Sequence, residues 1–250
     1  MINIKTQQEI EIMQEGGHIL SDTLWGVVKN IRSGISELEL DALAEKLIRK
    51  KGGEPGFKRV QDYRHTICIS VNDVVVHGIP TQNKLKAGDI VGIDCGVFYK
   101  GFHTDMSETV IVESVDNSSI REFLDTGKKA LEQAIKQAVV GNRIGNISKT
   151  IQDIVEGKGY SVVRSLVGHG VGHELHEEPE VPGYLVGPID KTPELVEGMV
   201  IAVEVIYNMG KYDLVLDSDG WTLRTKDKSL SGLFERTIAI TRNGPLILTP

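Results

Sequence analysis

Cysteine is scarce in this sequence: two residues, Cys68 and Cys95, among 250. A disulfide framework is therefore excluded, and a reducing compartment, the cytoplasm, is the expected location. Long apolar runs are missing as well. Asp73-Val-Val-Val76 and Met199-Val-Ile-Ala-Val203 are strand-sized, far below the ~18 residues of a membrane span. Met1 to Met13 interleaves Lys5, Gln7, Gln8, Glu9 and Glu11 with its apolar residues, so no export signal is expected. Basic residues are in deficit, 28 Lys+Arg against 35 Asp+Glu for a net charge of −7. Such a chain offers no cationic surface for a phosphate backbone, and neither DNA nor a membrane is an expected partner. Aromatics make up 5% of the residues, and no low-complexity segment or linker divides the chain. One ordinary globular unit of two fused halves fits this composition.

What is present is ordered punctuation. Thr6-Gln-Gln-Glu9 forms a capping box, followed by Ile10, Met13, Gly17, Leu20 and Leu24 at helical spacing up to Ile31. Ser36-Glu-Leu-Glu39 repeats the box ahead of Leu40, Leu43, Leu47 and a Gly52-Gly53 stop. The period then changes to that of strands at 66–70, 73–76, 90–95 and 104–112, the last two joined by a turn at Lys100-Gly101. From Ser119-Ile-Arg-Glu122 the order begins again: a helix to about Val140, a break at Gly141, a helix from Asn146 to Glu156, then strands at 160–164, 199–207, 221–225 and 234–241. Gly34-Ile35 and Leu38 match Gly141, Ile144 and Ile147 faintly, and two helices followed by strands, twice over, suggest internal duplication. The expected site lies between the halves.

Asp94 and Asp105 flank the Lys100-Gly101 turn. If their strands pair across it, position 94 faces 105 or 106, and two carboxylates lie side by side. Like charges so placed repel unless a cation sits between them. The plain alternative is a turn residue and a surface residue, yet Asp94 ends the apolar run Asp89-Ile-Val-Gly-Ile93. Gly168-His-Gly-Val-Gly-His-Glu-Leu-His176 concentrates three of the seven histidines among glycines that allow close backbone approach. Its spacing does not fit a helical zinc motif, because His176 follows His173-Glu174 one residue too early. Glu204 and Glu235 are lone carboxylates within apolar strands; each either turns to solvent or is compensated by a cation. Together with the aspartates and a Gly-flanked histidine they make a set of four carboxylates and one imidazole. Two divalent ions neutralise its −4 charge, a pattern of harder ions rather than of structural zinc.

The order Asp94, Asp105, His169, Glu204, Glu235, with Gly168-His-Gly-Val-Gly172 and His176-Glu-Glu-Pro179, resembles the type I methionine aminopeptidases of the M24-like, pita-bread metallopeptidase family. Ser70 to Pro80, Asp219-Gly-Trp-Thr222 and Thr225 to Ser231 agree with it, and the likeness runs from the first helix to about Thr241. The resemblance implies an α+β pita-bread fold, two pseudo-symmetric helix-helix-antiparallel-strand halves with helices outside a curved central sheet. It makes 1–250 a single catalytic domain with halves of about 1–115 and 116–250. It implies that Asp94 chelates one ion, that Asp105 and Glu235 bridge both, and that His169 and Glu204 hold the second. The cofactors would be two divalent metal ions, Co, Mn, Fe or Zn, activating a shared water that attacks the first peptide bond. Glu204 would be the general base, His77 and His176 would contact the scissile amide, and His173 receives no role. The methionine pocket falls on Tyr63, Cys68, Leu175 and Trp221, with Phe57 beside them; an unbranched thioether suits such walls. Implied partners are peptide and nascent-protein N-termini, with a place near the ribosome and a monomeric chain.

Four positions depart from the family's usual residues: Gly92 for Asn, Met106 for a small polar residue, Val205 for Pro and Arg236 for His. Each adjoins a ligand strand position, where neighbours orient ligands. The nearest rival is a pita-bread peptidase cleaving Xaa-Pro bonds, which usually carries a further N-terminal domain; none is expected here, because the first helix of the catalytic-domain pattern begins at about residue 6. A type II enzyme would carry a long insertion that the 34 positions between His169 and Glu204 do not hold. A non-catalytic peptide- or ribosome-binding protein would have lost ligands, and all five are present.

Overall fold

The computed structural model describes residues 2–113 and 117–250; the expected boundary between halves, at 115 and 116, lies outside the described residues. The first half runs α1 (Gln7–Val28), α2 (Glu37–Lys50), β1 (Glu54–Pro55), β2 (Ile67–Val71), β3 (Val74–Val76), β4 (Ile90–Tyr99) and β5 (Phe102–Ile111). The second runs α3 (Ser118–Ile135), α4 (Ile144–Glu156), β6 (Ser161–Val162), β7 (Gly168–Gly170), β8 (Glu177–Val181) and β9 (Val200–Asn208). It closes with β10 (Leu214–Leu216), β11 (Leu223–Thr225), β12 (Ser231–Thr241) and β13 (Gly244–Ile247).

Both capping boxes of the first half form: Thr6 and Ser36 accept from the amides of Glu9 and Glu39, whose carboxylates accept in return from the cap amides. The third helix corrects the expectation. Its cap is Asn117, whose side chain accepts from the Ile120 amide, and Ser119 donates its hydroxyl to the same Asn117 oxygen. An Asx cap two residues upstream competes successfully with the Ser pattern, and the helix ends at Ile135 rather than near Val140. The fourth begins at Ile144, where Asn146 Oδ1 accepts from the Arg143 amide.

One large sheet follows the order β1-β4-β5-β12-β9-β7-β8, with β2 on β4, β6 on β9 and β13 on β12; β10-β11-β3 form a smaller one. The α1 and α2 helices seal Leu20, Leu24, Leu40 and Ile48 against Ile67, Ile93 and Met106. The α3 and α4 helices do the same for Phe123, Leu131, Ile147 and Ile151 against Ile201, Val203, Val205 and Phe234. Helices thus cover the outer face of each half. The halves resemble one another in their hydrogen bonds. Gly34 donates to Leu85 O and Leu85 to Ile35 O, while Gly141 donates to Leu195 O and Leu195 to Asn142 O. Gly34 and Gly141 hold matching φ angles of +85° and +89°, a left-handed turn open to glycine at no steric cost.

The halves meet along β5 and β12, which among the described residues pair only at Glu235↔Ser107 and Arg236↔Met106. By contrast, β9 and β12 are in unbroken register from Asn208↔Ser231 to Val200↔Ala239.

Candidate metal centre

The hairpin turn sets the first half of the site. Lys100 and Gly101 both have positive φ, +47° and +94°, as a two-residue turn of the hairpin-favouring hand requires. The ladder is therefore centred between them, and Asp94 pairs with Ser107 while Asp105 pairs with Gly96. Asp94 does not face 105 or 106 directly, as the spacing suggests. Because 105 and 107 share a face, the two aspartates are still diagonal neighbours on one side of the sheet.

The other three candidates join them by register. Ser107 pairs with Glu235, and Glu235 with Glu204, so Asp94, Ser107, Glu235 and Glu204 form one row across β4, β5, β12 and β9. Two residues along the strands, on the same face, Thr237 pairs with Ala202, and Ala202 with His169 of β7. Asp105 enters this second row through Thr237, whose Oγ1 accepts from the Asp105 amide at 2.9 Å and donates to the Asp105 carbonyl at 2.8 Å. Five adjacent strands each contribute one candidate ligand.

The Gly168-His-Gly170 segment is the short strand β7. A side chain at 168 would lie 2.5 Å from the Ala202 carbonyl and one at 170 would lie 2.2 Å from the Glu178 carbonyl, so only glycines let this strand press between its neighbours. Asp105, His169 and Glu235 are buried, and their ligating atoms lie within 4.8 Å of one another. The imidazole Nε2 of His169 is 3.9 Å from Asp105 Oδ2, and its Nδ1 faces the Gly170 carbonyl at 2.9 Å, which orients the ring. Asp94 and Glu204 are half-buried and face a cavity of about 200 Å³.

The electrostatics are those of crowded acids: among the described residues no lysine or arginine lines the cavity, and Arg236 acts on Glu235 from the other face of the sheet. Burial pushes the Asp94 carboxyl up to about 7. Burial and the Asp94 charge push Glu204 up to about 8. Asp105 and Glu235 are raised well above the carboxylate range, first by burial and then by neighbouring charges, those of Asp94 and Glu204 on Asp105 and those of Asp105, Glu204 and Asp94 on Glu235. Burial holds His169 down to about 4, so the imidazole is neutral and its nitrogen is free to ligate. The fit to divalent cations rests on two observations. One buried oxygen of Asp94, Oδ1, has no hydrogen-bond partner, and the donor set is oxygen-rich with one imidazole, the preference of harder ions.

The remaining candidates ring the same cavity: Phe57, Tyr63, Cys68, His77, Leu175, His176 and Trp221 all line it. Phe57, Tyr63, Cys68 and Leu175 form one apolar cluster with Trp221 against it. Tyr63 donates its hydroxyl to Ile67 O at 2.9 Å, so its ring is left as a wall, edge-on to Trp221 at 5.1 Å. His77, held at a φ of +57°, lies edge-on to Trp221, and His176 lies 4.4 Å from the His169 ring. Partial desolvation keeps both imidazoles below their ordinary value, hence neutral near pH 7. His173 points away: it is exposed, with Nδ1 facing the Gly101 carbonyl. Sequence reasoning missed Ser107, which occupies the carboxylate row with a buried, unpartnered hydroxyl, and Thr237, which aligns Asp105. Period-2 counting from Asp105 and Glu235 would have found both.

Residues 11–242 match the model of metallopeptidase family M24. The chain is 43% identical over 249 residues to the methionine aminopeptidase of Clostridium perfringens, covering 100% of this chain and 99% of that one. Its structure is similar to the crystal structure of the methionine aminopeptidase from Thermotoga maritima, with a TM-score of 0.96 and 40% identity over 100% and 99% of the two chains. The prolidase of Pyrococcus furiosus shares the fold at a TM-score of 0.80 and 26% identity, over 99% of this chain and 65% of that one. With these likenesses spanning its whole length, and five ligand-type residues brought to one cavity, the chain belongs to metallopeptidase family M24, among its methionine aminopeptidases.

Proposed function

We propose that residues 1–250 are one catalytic domain, with halves of about 1–115 and 116–250, that removes N-terminal methionine at a centre of two divalent ions held by Asp94, Asp105, His169, Glu204 and Glu235. Support comes from one observation above the others: these five side chains, from five neighbouring strands, meet in one cavity with four carboxylates and, among the described residues, no lysine or arginine in its lining. Asp105 and Glu235, buried and central, suit the positions between two ions, with Asp94 on one side and His169 and Glu204 on the other. The ions, from among Co, Mn, Fe and Zn, supply Lewis acidity that activates water at neutral pH.

The chain's own residues do the rest. Glu204 faces the cavity beside Glu235 and receives the proton released on attack, acting as general base. His77 and His176, neutral at pH 7, each donate one N–H toward the scissile amide as charge develops on its oxygen. Tyr63, Cys68, Leu175 and Trp221, with Phe57, enclose the methionine side chain, and polarisable walls favour its thioether. A monomer working in the cytoplasm close to the ribosome, on nascent and short peptides, belongs to the same reading. Calorimetric titration of chelator-treated protein with Mn(II) or Co(II) tests the centre. Two equivalents bound per chain, reduced in Asp105→Asn and Glu235→Gln, are expected; a protein that binds neither ion contradicts it.

A further inference from the structure

Arg236 stands where the family's usual residue is His, one position from Glu235 and on the opposite, helix-covered face of the sheet. Its side chain is 14% exposed, and all of its fixed partners lie along the thin seam between the halves. One guanidinium nitrogen, Nη1, donates to the Ser107 carbonyl at 3.0 Å and to the Glu235 carbonyl at 2.7 Å. The other, Nη2, donates to Glu108 Oε2 at 2.9 Å. Glu108 is 3% exposed and receives Lys128 of α3 at 3.4 Å on its second oxygen. The guanidinium also lies 6.0 Å from the Trp25 ring of α1. Arg236 therefore ties together β5, β12 and the helices behind both halves.

The seam needs such a tie. Away from the two paired positions, β5 and β12 are joined by side-chain hydroxyls. Thr237 bonds both main-chain groups of Asp105, and Thr109 donates to Leu233 O at 2.7 Å and accepts from its amide at 3.0 Å. Thr109 and Thr237 each stand in for a strand-to-strand contact, on either side of the place where Glu235 faces Ser107. The spacing of Asp105 from Glu235 thus depends on side chains rather than on a continuous ladder.

We infer that Arg236 is a positioning residue for the metal centre: its guanidinium, anchored by Glu108, clamps the β5 and β12 carbonyls from the back of the sheet and fixes the separation of Asp105 and Glu235. Lysine is no substitute, because a single ammonium cannot reach both carbonyls and the Glu108 carboxylate in the geometry of a planar fork. This inference rests on the metal-binding reading above. The test uses chelator-treated wild type, Arg236→Lys and Glu108→Gln, titrated with Mn(II) by calorimetry, with kcat and KM on Met-Ala-Ser measured at saturating metal. Arg236→Lys is expected to bind Mn(II) roughly 10- to 100-fold more weakly and to lower kcat while leaving the peptide KM unchanged. Glu108→Gln, which keeps the guanidinium but loosens its anchor, is expected to shift Mn(II) affinity in the same direction by less. Melting of the metal-free forms separates support from positioning: lower Tm with Mn(II) affinity equal to wild type overturns the inference. If Arg236→Lys does not fold, Glu108→Gln decides it by the same affinity readout. Wild type that binds no Mn(II) fails the reading of the site, whereas equal binding by wild type and variants fails only the positioning role.

Discussion

Raising the pH of the metal-free protein should destabilise it, against the ordinary behaviour of carboxylates. Asp94 and Glu204 are pushed up to about 7 and about 8 in the folded state, and an unfolded chain returns them to about 4. A carboxyl whose folded pKa is raised contributes stability while it keeps its proton. That contribution is lost as pH rises through the folded value, because the unfolded state has already released its proton. Between pH 7 and 9 these two groups together remove at most about 2 kcal/mol, at 1.36 kcal/mol per tenfold change in proton activity. Asp105 and Glu235, which burial and the neighbouring carboxylates also push up, act in the same direction. The buried histidines act oppositely, since His103 and His169, both down to about 4, take up protons on unfolding. Their effect is concentrated below about pH 6.5, the unfolded imidazole value, so above pH 7 the acids dominate, joined toward pH 9 and in the same direction by the thiols of Cys68 and Cys95, which burial pushes up. For a chain of this length each kcal/mol corresponds to roughly 2–4 °C. Scanning calorimetry of chelator-treated protein should accordingly show Tm falling by roughly 4–8 °C or more from pH 7 to pH 9. With Mn(II) at 100 times its Kd, stability should rise by about 2.7 kcal/mol and the fall between pH 7 and 8 should disappear, because the ions hold the same carboxylates ionised in the folded state and the buried thiols act only nearer pH 9. A metal-free Tm that is flat or rises over this window would refute the placing of four uncompensated acids in one cavity.

Other consequences follow from single contacts. Glu204→Gln should retain the fold and methionine-pocket binding while largely abolishing turnover, measured as kcat on Met-Ala-Ser; undiminished kcat removes Glu204 from the role of base. Thr237→Val strips a buried partner from both main-chain groups of Asp105, at about 1–3 kcal/mol for each group left unsatisfied, and should lower both Tm and metal affinity. Lys5 and Glu177 form an ion pair at 2.5 Å with each side chain 3% exposed, next to His176. Lys5→Met should cost about 3–5 kcal/mol in urea unfolding, and the double change Lys5→Met with Glu177→Met should recover most of it.

Much of this was legible in the residues, and the rest was not for identifiable reasons. The α1 and α2 starts were written in Thr6–Glu9 and Ser36–Glu39 because capping boxes are local. The α3 start was not, since Asn117 and Ser119 both offer caps and only the packed helix chooses between them. The carboxylates of Glu204 and Glu235 announced themselves as charges in apolar strands, and the register confirms that they are direct neighbours. The strand at 168–170 was hidden because three glycine-rich residues carry no periodicity. Ser107 and Thr237 were hidden because a hydroxyl in a strand has no signature until the opposite strand is known. Arg236, seen only as a departure from the usual His, acquires a role once Glu108, two strands' worth of carbonyls and the seam are in view. Val205 and Met106, also departures, are simply buried in the outer cores.

Metal-dependent release of methionine is the activity assigned to this centre, and it can be measured directly. Chelator-treated protein is given Met-Ala-Ser or Met-Gly-Met-Met under anaerobic conditions, with Mn(II), Fe(II), Co(II) or Zn(II) restored one at a time, and free methionine is quantified. Methionine released only after an ion is returned, and lost again in Asp105→Asn, is the predicted result. Methionine released at an undiminished rate without metal, or none released with any of the four ions bound, would contradict the central claim.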